Sequence, residues 1–348
     1  MNYISVAELN CDILKNLYKI PKDVDVIIGI PRSGMLVAIL LSLYLNKPIS
    51  SFDYFLEGKI YSVGKTKETN SLVKDFSEIK KALIVEDSSY SGSSIVEAKV
   101  QIDNNLFRSN INCIWLAAYV TWYAKDNVDI YFRKVSSPRV FEWNMMHHKE
   151  LLVHSCLDVD GVLCFDPTDL ENDDGKEYRY FLLNAKPKYI PTDVVGWLVT
   201  SRLEKYRTET ELWLHKNNVK YNHLIMMGPE FASKAKERQA LGNHGKFKAD
   251  VYKSLREATC FIESDFNQAS EIAKLTGKDV ICVRNSIFFK GNLPHRTKEF
   301  ISNGILVEFK FLLKRIVPRS IYKSLRSVYR YSKKIIKKGF ELNQDYIR

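Results

Sequence analysis

The sequence predicts an α/β protein: two successive domains, each a parallel sheet covered by helices, then a basic amphipathic helical tail. Three observations carry the prediction. Continuous apolar runs such as "VDVIIGI" and "KALIVE" alternate with helix-spaced stretches, and strands apolar on both faces belong to parallel sheets with helices on each side. The alternation restarts at "LLVHSCLDVDGVL". From residue 305 a cationic pattern replaces it.

The elements follow in order. "VDVIIGI" reads as a buried strand, then a turn, then the apolar helix "GMLVAILLSLYLN". "KALIVE" and "INCIWLAAYV" read as two more strands of the same Rossmann-like sheet. The boundary is expected near residues 145–152, just past "FEWNMMHHKE". Beyond it, "VVGWLVTSR", "HLIMMG", "CFIES" and "DVICV" supply strands for a second Rossmann-like sheet. The expected domains are therefore 1–150 and 151–304, with the tail at 305–348. A chain of 348 residues, 45% hydrophobic and 27% charged, has enough apolar material for two cores.

Other features narrow the class. The cysteines Cys11, Cys113, Cys156, Cys164, Cys260 and Cys282 form no Cys-x-x-Cys pair and no Cys/His cluster, which predicts reduced thiols and a cytoplasmic setting. "MNYISVAELNCDILKNLYKI" carries acids and no long apolar core, so it does not read as a secretory signal. The longest apolar run, "MLVAILLSLYL", falls short of the ~20 residues that span a bilayer. The net charge is +11, and the eleven lysines and arginines between Phe309 and Phe340, with no acid among them, account for all of it.

"KALIVEDSSYSGSSI" raises the first chemical question. An apolar strand ends in Glu86 and Asp87, and a loop of small hydroxyls with one glycine leads into a helix. Carboxylates at the carboxyl end of a strand accept hydrogen bonds from vicinal hydroxyls and can hold magnesium directly or through water. The amides of "SGSS", the Ser91 and Ser94 hydroxyls and a helix N-terminus suit a monophosphate. Together with the earlier "VIIGIPRSGMLVA", the stretch resembles the phosphoribosyl diphosphate (PRPP) site of type I phosphoribosyltransferases, over residues 20–125. The resemblance implies PRPP bound with Mg²⁺. Gly29 and Pro31 would set the turn, and Arg32, Ser33 and Gly34 would meet the leaving diphosphate. Glu86 and Asp87 would serve binding and catalysis, with Ser88, Ser89, Tyr90, Ser91, Gly92, Ser93 and Ser94 around the sugar phosphate. It also implies a lid over "LEGKIYSVGKTKETNS", where Lys65 or Lys67 would offset the charge of the departing group.

Tyr90 departs from that family's nucleobase enzymes, which often carry Asp or Thr there. A tyrosine has no low-pKa carboxylate, so the expected acceptor is not a purine that needs such a base. The plainer alternative is that Tyr90 packs. "FEWNMMHH" leaves a similar choice open: a hood in which Trp143 stacks on a sugar or base, or a core tryptophan.

"CLDVDGVLCFD" sets Asp158 and Asp160 two apart at a strand end, one placed to attack phosphorus and the other to protonate the leaving oxygen. It resembles the first motif of the haloacid dehalogenase (HAD) superfamily, and the later motifs follow in order over residues 152–285. This resemblance implies that Thr200 in "WLVTSR" bonds the phosphoryl oxygen and that Lys248 in "HGKFKADVYKSL", with Lys246 as the alternative, neutralises charge. Glu263 and Asp265 would help Asp158 and Asp160 hold Mg²⁺. Asp at position 160 implies phosphatase chemistry. The 42 positions from Asp158 to Thr200 leave room for a flap and not for a folded cap, which implies an open site and a phosphate displayed on a macromolecule.

In the tail, Ile321, Leu325, Val328, Ile335 and Ile336 approximate helical spacing between cations. Such a helix suits an anionic membrane surface, each cation adding about 1 kcal/mol near it. A solvated or protein-docked helix is the alternative, and the acceptor logic does not call for nucleic acid. A phosphoribosyltransferase leaves a 5-phosphate on its product, which a fused phosphatase would remove. The pairing resembles fused proteins of bacterial surface-polysaccharide pathways. It implies ribofuranose addition to a lipid-linked glycan acceptor of O-antigen or capsule, at the inner face of the cytoplasmic membrane, with glycosyltransferases of the same pathway as partners. Two rivals stand beside it: a soluble nucleotide-metabolism transferase and phosphatase acting on a nucleobase or nucleotide, and a non-catalytic PRPP sensor.

Overall fold

Ser5 opens the first helix. Its hydroxyl accepts from the Glu8 amide at 3.0 Å while the Glu8 carboxylate accepts from the Ser5 amide at 3.2 Å, a reciprocal cap. The computed structural model places this helix, α1 (Val6–Asn16), after a short strand β1 (Asn2–Ile4). It describes residues 1–61, 72–73, 75–105, 110–172, 174–228, 230 and 243–292, all within one unit, Met1–Lys298. Lys65, Lys67 and the basic tail lie outside the described residues.

The front half continues through β2 (Val26–Gly29), α2 (Ser33–Leu45), β3 (Ile49–Ser51) and α3 (Phe52–Leu56). It then runs through β4 (Lys81–Ser89), α4 (Ser93–Asp103), β5 (Asn112–Val120) and β6 (Ile130–Lys134). The strands lie in the order β3-β2-β4-β5-β6, and every neighbouring pair is parallel. Alternation along each strand divides the apolar residues between two cores. Ile27, Leu83, Val85 and Leu116 pack with Val37 and Leu41 of α2, whereas Val26, Ile28, Ala82 and Ile84 pack with Ile95 and Ala98 of α4. Each such Val, Leu or Ile side chain contributes ~1.5–3 kcal/mol by leaving water. The predicted strand "KALIVE" runs three residues further, because Ser88 and Ser89 keep their pairing with Tyr119 and Val120. Glu86 and Asp87 thus lie inside β4.

A short ribbon follows. β7 (Arg139–Phe141) pairs in parallel with β1. Tyr3 and Val140 join the core of the rear half, while Ile4 and Phe141 join a front core, so the alternate residues of one ribbon serve both. A 3₁₀ helix, Glu142–His147, then buries Met145 and Met146 in the rear core, and α5 (Lys149–Val153) follows.

The rear half comprises β8 (Ser155–Leu157), α6 (Lys176–Asn184), β9 (Val195–Leu203) and α7 (Arg207–Lys216). β10 (Tyr221–Met227), α8 (Asn243–Ser254), β11 (Cys260–Glu263), α9 (Phe266–Thr276), β12 (Asp279–Cys282) and β13 (Ile287–Phe289) complete it. The sheet order is β10-β9-β8-β11-β12-β13, parallel except for β13 against β12. Both halves are therefore α/β with parallel sheets, as the apolar runs predict. Among the described residues, no helix is long and apolar enough to cross a membrane.

Candidate functional site

Topology alone locates a crevice in each sheet. In the front sheet the connections leave β2 and β4 in opposite directions, and in the rear sheet they do so at β8 and β11. At such a switch point the loops diverge and open a cleft beyond the carboxyl ends of the strands. The sequence-predicted acids sit at these two places.

In the front crevice, α2 begins against the end of β4. An ideal Cβ on Gly34 would stand 2.5 Å from the Val85 carbonyl oxygen and 3.2 Å from the Glu86 Cα, so only glycine permits this approach. Arg32 is exposed and Ser33 half-buried at the mouth, and the Pro31–Arg32 peptide is cis. Glu86 and Asp87 are buried, at 8% and 5% exposure. Burial, followed by the charge of Asp87, pushes the Glu86 carboxyl up to about 8. Burial also raises Asp87, against the pull of hydrogen bonds from Trp143 and Glu86 and the charge of Arg139. Two adjacent buried carboxyls hold a proton unless a cation arrives, and oxygen donors of this kind fit Mg²⁺. Beyond them, the Ser91 and Ser93 hydroxyls lie 2.9 Å apart, and Ser93 and Ser94 are exposed at the first turn of α4.

The 3₁₀ helix after β7 closes one side. Trp143 Nε1 donates to Asp87 Oδ2 at 2.8 Å, and Asn144 Nδ2 donates to Ser33 Oγ at 3.0 Å. The Trp143 ring stacks on Phe141 at 5.0 Å, with Tyr119 at 6.5 Å. Of the two roles left open for Trp143, this position within a front aromatic stack corresponds to packing, with a polar tip turned to the acids. Tyr90 also packs: the Arg139 guanidinium lies 5.3 Å from its ring centre, and Tyr123 meets it edge-on at 6.0 Å.

In the rear crevice, the Asp158 amide donates to the Ile262 carbonyl at 3.0 Å, which fixes the residue between β8 and β11. Lys248, 1% exposed, reaches from α8 to Asp158 Oδ2 at 2.6 Å, Glu263 Oε2 at 2.7 Å and Gln268 Oε1 at 2.8 Å. Lys246 is exposed. Burial pushes the Asp158 carboxyl well above the ordinary range; Lys248 opposes the rise, and the charges of Glu263 and Asp160 add to it. Asp160 behaves differently. Burial works upward on it, but the Arg202 guanidinium, bound through Nε at 3.0 Å and Nη2 at 2.7 Å, holds its carboxyl below the usual range. The next residue, Gly161, has φ +74°, a turn conformation that L side chains rarely adopt.

The remaining predicted residues are placed as follows. Thr200 is buried in β9, its Oγ1 accepting from the Arg202 amide at 3.2 Å. Asp265 caps α9 by accepting from the Gln268 amide at 2.9 Å. Asp158 and Glu263 thus meet through Lys248, Asp160 is engaged by Arg202, and Asp265 is committed to its helix. Among the described residues, no group of three or more His, Cys, Asp or Glu is arranged to hold a metal ion. The rear carboxylates have the right donor chemistry for Mg²⁺, and Lys248 Nζ occupies the point on which Asp158 and Glu263 converge.

No protein-family model matches the chain, and neither does any curated protein. Among solved structures it is similar to a purine phosphoribosyltransferase from Pyrococcus horikoshii Ot3, at 17% identity and TM-score 0.30 over 41% of this chain and 95% of that one. It is also similar to a xanthine-guanine-hypoxanthine phosphoribosyltransferase from Helicobacter pylori, at 15% identity and TM-score 0.29 over 41% and 91% of the two chains. An orotate phosphoribosyltransferase from Aeropyrum pernix shares 15% identity at TM-score 0.25 over 37% and 71%.

Proposed function

We propose that the front half transfers a 5-phosphoribosyl group from PRPP to a glycan acceptor and that the rear half, from about residue 151, removes the 5-phosphate to leave ribofuranose. The observation that carries this reading is the pair of switch-point crevices, each lined by acids from the strand ends where a phosphorylated sugar is held.

At the front, an acceptor hydroxyl oxygen bonds to C1 of the ribose as the C1–O bond to diphosphate breaks. The hydroxyl proton passes to the diphosphate or to water. Glu86 and Asp87 take the ring hydroxyls, and their shared proton leaves when a cation enters. Mg²⁺, when bound, supplies charge to the diphosphate. At the rear, Asp158 attacks phosphorus, the P–O5 bond breaks, and Asp160 protonates O5; water then hydrolyses the aspartyl phosphate. The resting electrostatics are opposite to those roles, since Asp160 is held ionised by Arg202 while Asp158 is pushed up. An arriving phosphate dianion competes with Asp160 for Arg202, and the proton that burial favours on Asp158 passes to Asp160, leaving Asp158 ionised for attack beside Lys248.

A lipid-linked acceptor, a peripheral inner-membrane position and an O-antigen or capsule pathway with its glycosyltransferases complete the proposal; their support is the sequence of the basic tail and the pairing of two phosphosugar sites. The test incubates the protein with PRPP, Mg²⁺ and either lipid-linked glycan or free nucleobases. D158N is expected to accumulate the phosphorylated ribosyl product and D87N to transfer nothing. Fully dephosphorylated product from D158N would overturn the division of labour, and turnover with a nucleobase alone would establish the nucleotide-metabolism reading instead.

A further inference from the structure

We propose that Asn144 is a positioning residue of the front crevice, which sets the Ser33 hydroxyl as a donor to an anionic ligand. The crevice has two lips, the first residues of α2 and the acid-bearing end of β4, which meet where Gly34 packs on the Val85 carbonyl. Consecutive residues of the 3₁₀ helix reach one lip each. Trp143 Nε1 donates to Asp87 Oδ2 at 2.8 Å, and Asn144 Nδ2 donates to Ser33 Oγ at 3.0 Å. One short turn therefore spans both lips and fixes their spacing. Its own footing lies outside the crevice. Met145 and Met146 are buried in the rear core, and Glu142 accepts from the Val6 amide at 2.7 Å and from the Ser286 hydroxyl.

The direction of the Asn144 bond matters as much as its length. A serine hydroxyl has one proton to give and lone pairs with which to accept. Because the Ser33 oxygen accepts from the Asn144 amide, its proton is turned away from Asn144. Ser33 is half-buried at the mouth of the crevice, next to the exposed Arg32. A hydroxyl proton held there, beside a guanidinium, suits an anion. This deepens the transferase reading and rests on it for the identity of that anion as the diphosphate of PRPP; the hold of Asn144 on the start of α2 does not.

Two measurements on the full chain test it: calorimetry of Mg²⁺–PRPP binding, and hydrogen exchange of the ligand-free protein over residues 31–36. N144A loses the contact, and is expected to weaken PRPP binding ~3–10-fold and to speed exchange in that segment. N144D keeps the shape but turns the bond round, because a carboxylate only accepts and so takes the Ser33 proton. It is expected to leave exchange near the wild-type rate and yet to weaken PRPP binding more than N144A does. A merely structural role would rank the two variants the other way. In an S33A background, N144A is expected to cost less than ~2-fold. Unchanged exchange in N144A, equal losses from N144A with and without the Ser33 hydroxyl, or wild-type binding by N144D would overturn the inference. Wild type that takes no PRPP, with exchange still faster in N144A, would sink the transferase reading and leave Asn144 holding the start of α2.

Discussion

Replacing Glu86 by Gln is expected to abolish transfer and yet make the protein more stable in alkali. In the folded chain the Glu86 carboxyl is raised from 4.5 to about 8, chiefly by burial and then by Asp87. A group that holds its proton more tightly when folded stabilises the fold at low pH and opposes it as pH rises between the two values. At about 1.4 kcal/mol for each tenfold change in proton affinity, the full penalty is about 5 kcal/mol, reached above pH 8. At pH 5 the same arithmetic leaves under ~1 kcal/mol. Urea unfolding of wild type and E86Q at pH 5 and pH 9 measures the difference. E86Q is expected to gain several kcal/mol at pH 9 and little at pH 5. An equal difference at both values would refute the reasoning, because a lost hydrogen bond or a packing change carries no such pH dependence.

Two further outcomes test the neighbouring groups. K248M leaves the buried Asp158 and Glu263 facing each other without their cation, which is expected to cost ~3–5 kcal/mol in urea unfolding at pH 7; a loss below ~1 kcal/mol would remove Lys248 from its central place. W143F keeps the stack on Phe141 but takes away a donor to a buried carboxylate, worth ~1.5–3 kcal/mol. The pH at which Mg²⁺–PRPP binding is half-lost is therefore expected to rise, read by calorimetry between pH 6 and 9.

What the sequence disclosed and what it withheld follow from range. The apolar runs of β2, β4 and β5 fix the parallel front sheet because burial on both faces is written locally. The same holds for Glu86, Asp87 and Asp158, since charge at the end of an apolar run has few other uses. Local reading stops at the choice of partner. Residues two apart on a helix point to different sides, so either Lys246 or Lys248 could face the site, and the fold buries Lys248. Arg202 was visible in principle: two past Thr200 in "VTSR", it shares that residue's strand face. Its bond to Asp160 spans 42 residues, and Trp143 reaches Asp87 across 56, so neither pairing is encoded in any local pattern.

The two crevices hold their acids against different partners, and that difference bears on what each can accept. At the front, burial raises both carboxyls and the cation whose charge reaches Asp87 is Arg139, so negative charge is incompletely balanced. Such a site favours a ligand that arrives with its own cation, as a diphosphate does with magnesium. At the rear, Lys248 and Arg202 are paired directly with Asp158, Glu263 and Asp160, two cations to three carboxylates. On the proposed phosphatase reading, a phosphate monoester entering there competes with those carboxylates for the same two cations. On the proposed transferase reading, raising Mg²⁺ is therefore expected to tighten diphosphate-sugar binding at the front, read by calorimetry.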